Sequence, residues 1–169
     1  ALRQVSESSE ITLVSKEAEL PYLRLNLTRY LAGEIEAGQL PIHPRSWYEK
    51  RNVKLMLGAE ARAIRTQEQS VELSNGDVLP FEKLLLAAGA HPYIPPFPGT
   101  HRQGVTTLRT VEDADRILRG IEEGGTKCVC IGGGILGMET AAALARRGAD
   151  VTLLEGHGWL LPRQLNRRA

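Results

Sequence analysis

The clearest hydrophobic pattern lies in the second half of the chain. Val111, Ala114, Ile117, Leu118 and Ile121 recur at helical spacing between Thr110 and Glu123. Thr110 can cap that helix, and Asp113, three residues on, supplies the acidic half of a capping box. Thr126 to Ile131 is rich in β-branched residues and cysteine and predicts a strand. Met138 to Arg147, rich in alanine and leucine and free of proline, predicts a helix that Gly148 ends in the left-handed region. Asp150 to Glu155 predicts a second strand.

The first half is more mixed. Ala1 to Ser6 reads as the end of a helix, and Ile11 to Ser15 as a short strand. Thr28 to Glu36 has helical character, ending near Gly38, and Pro44 to Arg51 predicts a short helix with proline in its first turn. Val53 to Leu57 reads as a strand. Ala61 to Arg65, Ser70 to Leu73 and Val78 to Phe81 predict a small antiparallel excursion, with positive φ angles expected at Asn75-Gly76. Lys83 to Ala87 is a nearly continuous apolar run, the pattern of a strand covered on both faces. Pro92, Pro95, Pro96, Pro98 and Gly99 then mark His91 to Gly104 as a linker.

Composition narrows the functional classes. The chain has 169 residues, 42% hydrophobic and 24% charged, with a formal net charge of +1. That balance gives no field to draw nucleic acid or an acidic membrane, so a small-molecule ligand is expected. No apolar run approaches the ~18 residues of a membrane span, and the amino terminus lacks the apolar core of a signal peptide, so a cytoplasmic location is expected. Cys128 and Cys130 lie two apart in one predicted strand, with Cα atoms roughly 6.5 Å apart, a poor geometry for a bridge. They read as small buried apolar residues, with no metal or redox role.

The chemistry sits between the strand and the helix of the second half. Gly132-Gly133-Gly134-Ile135-Leu136-Gly137 is a G-x-G-x-x-G run with a strand before it, a helix and second strand after it, and Glu155 at the end of that strand. Gly132 would permit the tight turn, Gly134 the approach of backbone to a pyrophosphate, and Gly137 close packing of helix on strand. The helix amino terminus would receive the phosphate charge. Glu155 would accept from the adenosine ribose hydroxyls and repel a 2′-phosphate, favouring NADH over NADPH. His157 could partly neutralise such a phosphate; a solvated loop histidine is the competing reading.

With Leu20-Pro21-Tyr22-Leu23-Arg24, Leu27-Thr28-Arg29, Leu84 to Ala90, Pro95 to Gly99, the fingerprint with Glu139, and Leu161-Pro162-Arg163-Gln164-Leu165, the sequence resembles the pyridine nucleotide-disulfide flavoprotein oxidoreductases. Within them it is most similar to the reductase portion of NAD(P)H nitrite reductase large subunits and to rubredoxin or ferredoxin reductases. The resemblance spans nearly the whole chain. It implies an α/β fold, a partial two-domain Rossmann-like arrangement of parallel sheets with a small antiparallel β excursion. Residues 1–101 would form a partial FAD-binding domain and residues 102–169 a partial NAD(P)H-binding domain. The only glycines before residue 50 are Gly33 and Gly38, so the first phosphate loop of the FAD domain is expected to be absent, as in a fragment.

The resemblance also implies site residues. Arg24 and Arg29 match basic positions that meet the flavin cofactor, although Leu25 stands where proline is usual and Arg29 where lysine is usual. Glu17 would meet the adenosine ribose of FAD, and Ala61 would make a backbone contact to its adenine. Ala88 and Gly89 match the A-T-G turn, with alanine in place of threonine. Glu139 matches a catalytic glutamate facing the nicotinamide and flavin rings; a solvated helix glutamate is the competing reading. Relatives that reduce disulfides or peroxides carry a reactive cysteine near the present Ala18 or in the following helix, and this chain has none there. Electrons would then pass from NADH through FAD to a downstream acceptor protein or domain, in a parent that could form a homo-oligomer. A non-catalytic NADH-binding or redox-sensing module, or a non-functional fragment, would carry the same fingerprint.

Overall fold

The computed structural model describes residues 2–6, 8–166 and 168. In chain order the helices are α1 (Leu2–Val5), α2 (Leu27–Leu31), α3 (Arg45–Glu49), α4 (Val111–Glu122) and α5 (Ile135–Arg146). The strands are β1 (Ile11–Ser15), β2 (Val53–Leu57), β3 (Ala61–Arg65), β4 (Ser70–Leu73), β5 (Val78–Pro80), β6 (Lys127–Ile131) and β7 (Asp150–Leu154). The chain divides into two compact units, one of Ala1–Tyr22 with Pro41–Gly89 and one of Leu23–Leu40 with Ala90–Ala169. Residues 23–40 thus belong with the second unit, although chain of the first unit lies on both sides of them.

In the first unit β1 and β2 pair in parallel, Ile11 opposite Val53 and Ser15 opposite Leu57. The antiparallel sheet β3-β4-β5 follows, with a register shift between Ala61 and Ala63. A cluster of Ala59, Val71 and Leu73 holds this unit, with Val14, Met56, Leu79 and Phe81 packed against it. Of Asn75-Gly76 only Gly76 takes a positive φ, 90°. The connection is instead a longer loop, in which the Leu73 amide reaches the Asp77 carbonyl at 2.8 Å and Asn75 bonds Asp77.

The expected strand at Lys83 to Ala87 does not form, and Leu85 and Leu86 are 80% and 68% exposed. A central strand requires a hydrogen-bonded neighbour on each edge, and among the described residues no strand pairs with this run. The hydropathy of a doubly covered strand is present without its covers.

The second unit is built on β6 and β7, parallel with Lys127 opposite Asp150 and Ile131 opposite Leu154. Its core is Leu31, Ala143, Leu144 and Ala149, against which Ile117, Leu118, Ile121, Cys128, Cys130 and Val151 pack. The α4 start matches the expectation in detail: Asp113 N–H donates to Thr110 Oγ1 at 3.1 Å, and the Asp113 carboxylate accepts from the Thr110 N–H at 3.0 Å. The helix expected over Thr28 to Glu36 stops early, at Leu31. Gly33, at φ 75°, turns the chain into the left-handed region, and the Gly33 and Glu34 amides return to the Tyr30 and Arg29 carbonyls. That is the Schellman pattern, and it satisfies carbonyls the helix end would otherwise leave open.

Candidate functional site

The β6 strand delivers the chain to a turn that must reverse onto α5. Gly132 takes φ 112°, a region side-chain-bearing residues rarely adopt, while its N–H donates to the Leu154 carbonyl at 2.7 Å. This bond ties the turn to the end of β7. A Cβ at Gly137 would stand 1.8 Å from the Gly132 carbonyl oxygen, so the first turn of α5 lies against the glycine turn with no room for a side chain. A Cβ at Gly134, in contrast, would meet nothing within 4 Å. Gly134 is also the N-cap of α5, and the Ile135, Leu136 and Gly137 amides form the helix's first turn. The amides of a first turn have no partner within their own helix, so an open, electropositive cradle lies there.

Glu155 follows β7 directly and turns its carboxylate to this cradle. Its Oε2 accepts the Gly133 N–H at 2.6 Å, and its Oε1 accepts the His157 N–H at 2.8 Å with His157 Nδ1 at 3.1 Å. The side chain is only 15% exposed. The His157 amide, then the Gly133 amide, hold the Glu155 carboxyl below its ordinary pKa, because both bonds favour the charged form. An anionic acceptor therefore stands at the carboxyl end of a parallel strand, beside a helix amino terminus, the usual crevice for a nucleotide in an open α/β sheet.

A second feature of the same unit lies between α2 and α5. Thr28, 7% exposed, donates its hydroxyl to Glu139 Oε2 at 2.9 Å. These residues line a cleft of about 250 Å³ with Leu25, Arg29, Glu34 and Arg146. Arg29 Nε bonds Glu34 Oε2 at 3.3 Å, and Arg146 pairs with the other oxygen of Glu34. Arg24 donates to the Arg109 carbonyl at 2.7 Å. The structure thus joins Glu139 to Thr28, a residue that sequence reasoning did not single out as part of a site. The one signal for it was a polar residue on the apolar face of a short helix.

The remaining residues of interest lie in the first unit. Glu17, just after β1, accepts a hydrogen bond from the Tyr22 hydroxyl, and its carbonyl accepts the Gly58 N–H at 3.0 Å. Ala61 opens β3 opposite Leu73, and Ala88 and Gly89 lie in the exposed segment after the apolar run, Gly89 at φ 72°. The residues expected to meet FAD are therefore shared between the units, Arg24 and Arg29 in the second and the others in the first. Among the described residues no cluster of His, Cys, Asp or Glu could hold a metal ion, and no helix is long and apolar enough to cross a membrane. Cys128 and Cys130 are free thiols; burial, then the neighbouring Cys128, pushes the Cys130 thiol above its ordinary pKa.

Comparison with known proteins agrees with this geometry. The chain is 30% identical over 168 residues to the nitrite reductase [NAD(P)H] of Bacillus subtilis, covering 99% of this chain and 21% of that protein. It is 36% identical over 167 residues to the ferredoxin–NAD(+) reductase component of the p-cumate 2,3-dioxygenase system of Pseudomonas putida, covering 98% of this chain and 41% of that one. The solved structure of a NAD-dependent persulfide reductase from A. fulgidus superimposes with a TM-score of 0.92 at 30% identity, over 98% of this chain and 32% of that structure. The chain therefore spans well under half the length of the relatives it matches. The sequence profile of the pyridine nucleotide-disulphide oxidoreductases matches residues 1–169, and the chain belongs to that family.

Proposed function

We propose that this chain is the nucleotide-handling part of an FAD-dependent reductase that oxidises NADH and passes the electrons to an external carrier. The observation that carries the reading is the Glu155 carboxylate bonded to the Gly133 amide at 2.6 Å, which puts an acceptor for a ribose diol at the rim of the glycine turn. The open space beyond Gly134 and the amides of the first α5 turn suit a pyrophosphate. The carboxylate also opposes a 2′-phosphate, so NADH is the preferred dinucleotide.

For FAD each unit offers groups of its own: in the second, Arg24 and Arg29 are donors of the kind a diphosphate takes, now engaged with the Arg109 carbonyl and Glu34; in the first, Glu17 is an acceptor of the kind a ribose takes, and Ala61, Ala88 and Gly89 would offer backbone. Bound FAD would take hydride from C4 of NADH at its N5 and release electrons singly or in pairs. The work of the protein is to hold the rings in contact and exclude water. Glu139, held by Thr28, is the side chain we assign to the ring contact, and no nucleophile is needed. Cys128 and Cys130, half-buried, pack against the core of the second unit and are given no redox role, so the acceptor that FAD would serve when bound is a separate carrier of the ferredoxin, rubredoxin or nitrite-reducing kind. The protein works in the cytoplasm.

The test is anaerobic mixing of the FAD-loaded parent reductase with NADH while the flavin absorbance is followed. Bleaching faster with NADH than with NADPH is expected. NADH binding with the flavin left oxidised would instead indicate a nucleotide-sensing module.

A further inference from the structure

The segment after Glu155 folds back onto the glycine turn. Leu161 N–H donates to the Gly133 carbonyl at 2.8 Å, and the Gln164 and Leu165 amides return to the Leu161 carbonyl. Leu161 itself takes φ 52°, an uncommon conformation for a branched side chain. Leu160 sits so close that a Cβ on Gly133 would be 2.7 Å from its Cδ2. Trp159 Nε1 closes the loop on the Leu165 carbonyl at 3.1 Å. The backbone of His157 is thereby held beside Glu155.

The Glu155 carboxylate offers about four acceptor positions. Three are taken: Oε2 by the Gly133 amide, and Oε1 by the His157 amide and the His157 ring. A ribose diol brings two hydroxyl donors, and only one position is left for them. Of the three donors present, two are backbone amides fixed by the fold. The third, the imidazole, has a side chain 67% exposed and is free to rotate away.

We infer that His157 is a specificity-determining residue whose ring competes with the ribose diol for Glu155 Oε1 and, once turned out, offers a donor to a 2′-phosphate. The inference rests on Glu155 being the ribose ligand. On this account the histidine lowers the preference for NADH over NADPH that Glu155 alone would impose. It also separates a competing role from a supporting one. A residue that merely held Glu155 in place would favour NADH, because Glu155 binds the diol and opposes a 2′-phosphate.

The experiment measures equilibrium binding of NADH and NADPH, by quenching of protein fluorescence, to the purified protein and to its His157→Ala, His157→Asn and Glu155→Ala variants. Circular dichroism checks that each is folded. His157→Ala is expected to tighten NADH roughly two- to fivefold and to weaken NADPH by a similar factor, the size of an exposed polar contact. His157→Asn keeps a neutral donor, so it should leave NADH near the wild-type value while weakening NADPH. Weaker NADH binding by His157→Ala, or an unchanged ratio of the two nucleotides, would overturn the inference. Failure of Glu155→Ala to weaken NADH would instead remove the reading of Glu155 on which it stands.

Discussion

Each unit contains a pair of parallel five-residue strands with an acidic residue just beyond a carboxyl end, Glu17 after β1 and Glu155 after β7. The two carboxylates have different neighbours. Glu17 accepts from the Tyr22 hydroxyl, five residues along its own chain. Glu155 accepts from Gly133, twenty-two residues away, in a turn that opens a twelve-residue helix. The turn and the helix amino terminus beside Glu155 supply complementary donors for a pyrophosphate, and among the described residues of the first unit no such pair stands beside Glu17.

The largest way to break that contrast is Gly137→Ala. The added Cβ would lie 1.8 Å from the Gly132 carbonyl oxygen, so either the turn opens or α5 shifts. NADH affinity should fall by about a hundredfold or more, ~2.7 kcal/mol, as read in a nucleotide titration. Glu17→Gln is the control, and an NADH affinity more than about threefold below wild type would erase the contrast.

Glu155→Ala should weaken NADH by about tenfold and narrow its advantage over NADPH. Because the folded-state pKa of Glu155 lies below its ordinary value, its interactions contribute above that ordinary value and are lost as pH falls through the lowered one. NADH binding measured against pH should accordingly persist in mild acid and decline only below the usual carboxylate range.

A smaller effect tests whether residues 23–40 belong energetically to the second unit. The Tyr30 hydroxyl donates to Asp115 at 2.7 Å, and this bond, then burial, pushes its pKa up to about 12. Tyr30→Phe should cost about 1 kcal/mol in a denaturant titration. The contribution is complete below the ordinary tyrosine range and is lost as pH rises through about 12. A variant of unchanged stability would detach the segment from the core assigned to it.

The smallest effect is expected from replacing Cys128 and Cys130 with alanine. Both pack against the cluster around Leu144, so turnover should stay within about tenfold and any loss should come from packing. Loss of flavin reduction in a folded, FAD-loaded variant would assign the thiols a redox role.

What could be read from the sequence follows the range of the interactions involved. The Thr110 and Asp113 cap, the turn from β6 into α5 and the strand that leads to Glu155 are local and show in spacing and residue type, although the strand ends at Leu154 rather than including Glu155. Gly33 stops α2 at Leu31 although the helical pattern continues beyond it, because its positive φ closes the helix end locally. The run from Lys83 to Ala87 failed for the opposite reason: a strand is defined by its neighbours, which composition does not contain. The bond from Thr28 to Glu139 joins residues 111 apart and depends on how α2 packs against α5, which no periodicity records.

We propose the crevice formed by Gly133, the α5 amino terminus and Glu155 as the seat of an NADH ribose and pyrophosphate. Isothermal titration of the purified protein with NADH and with NADPH at neutral pH tests it most directly. NADH should bind about tenfold more tightly or better, a difference of ~1.4 kcal/mol. Equal or tighter binding of NADPH would contradict it.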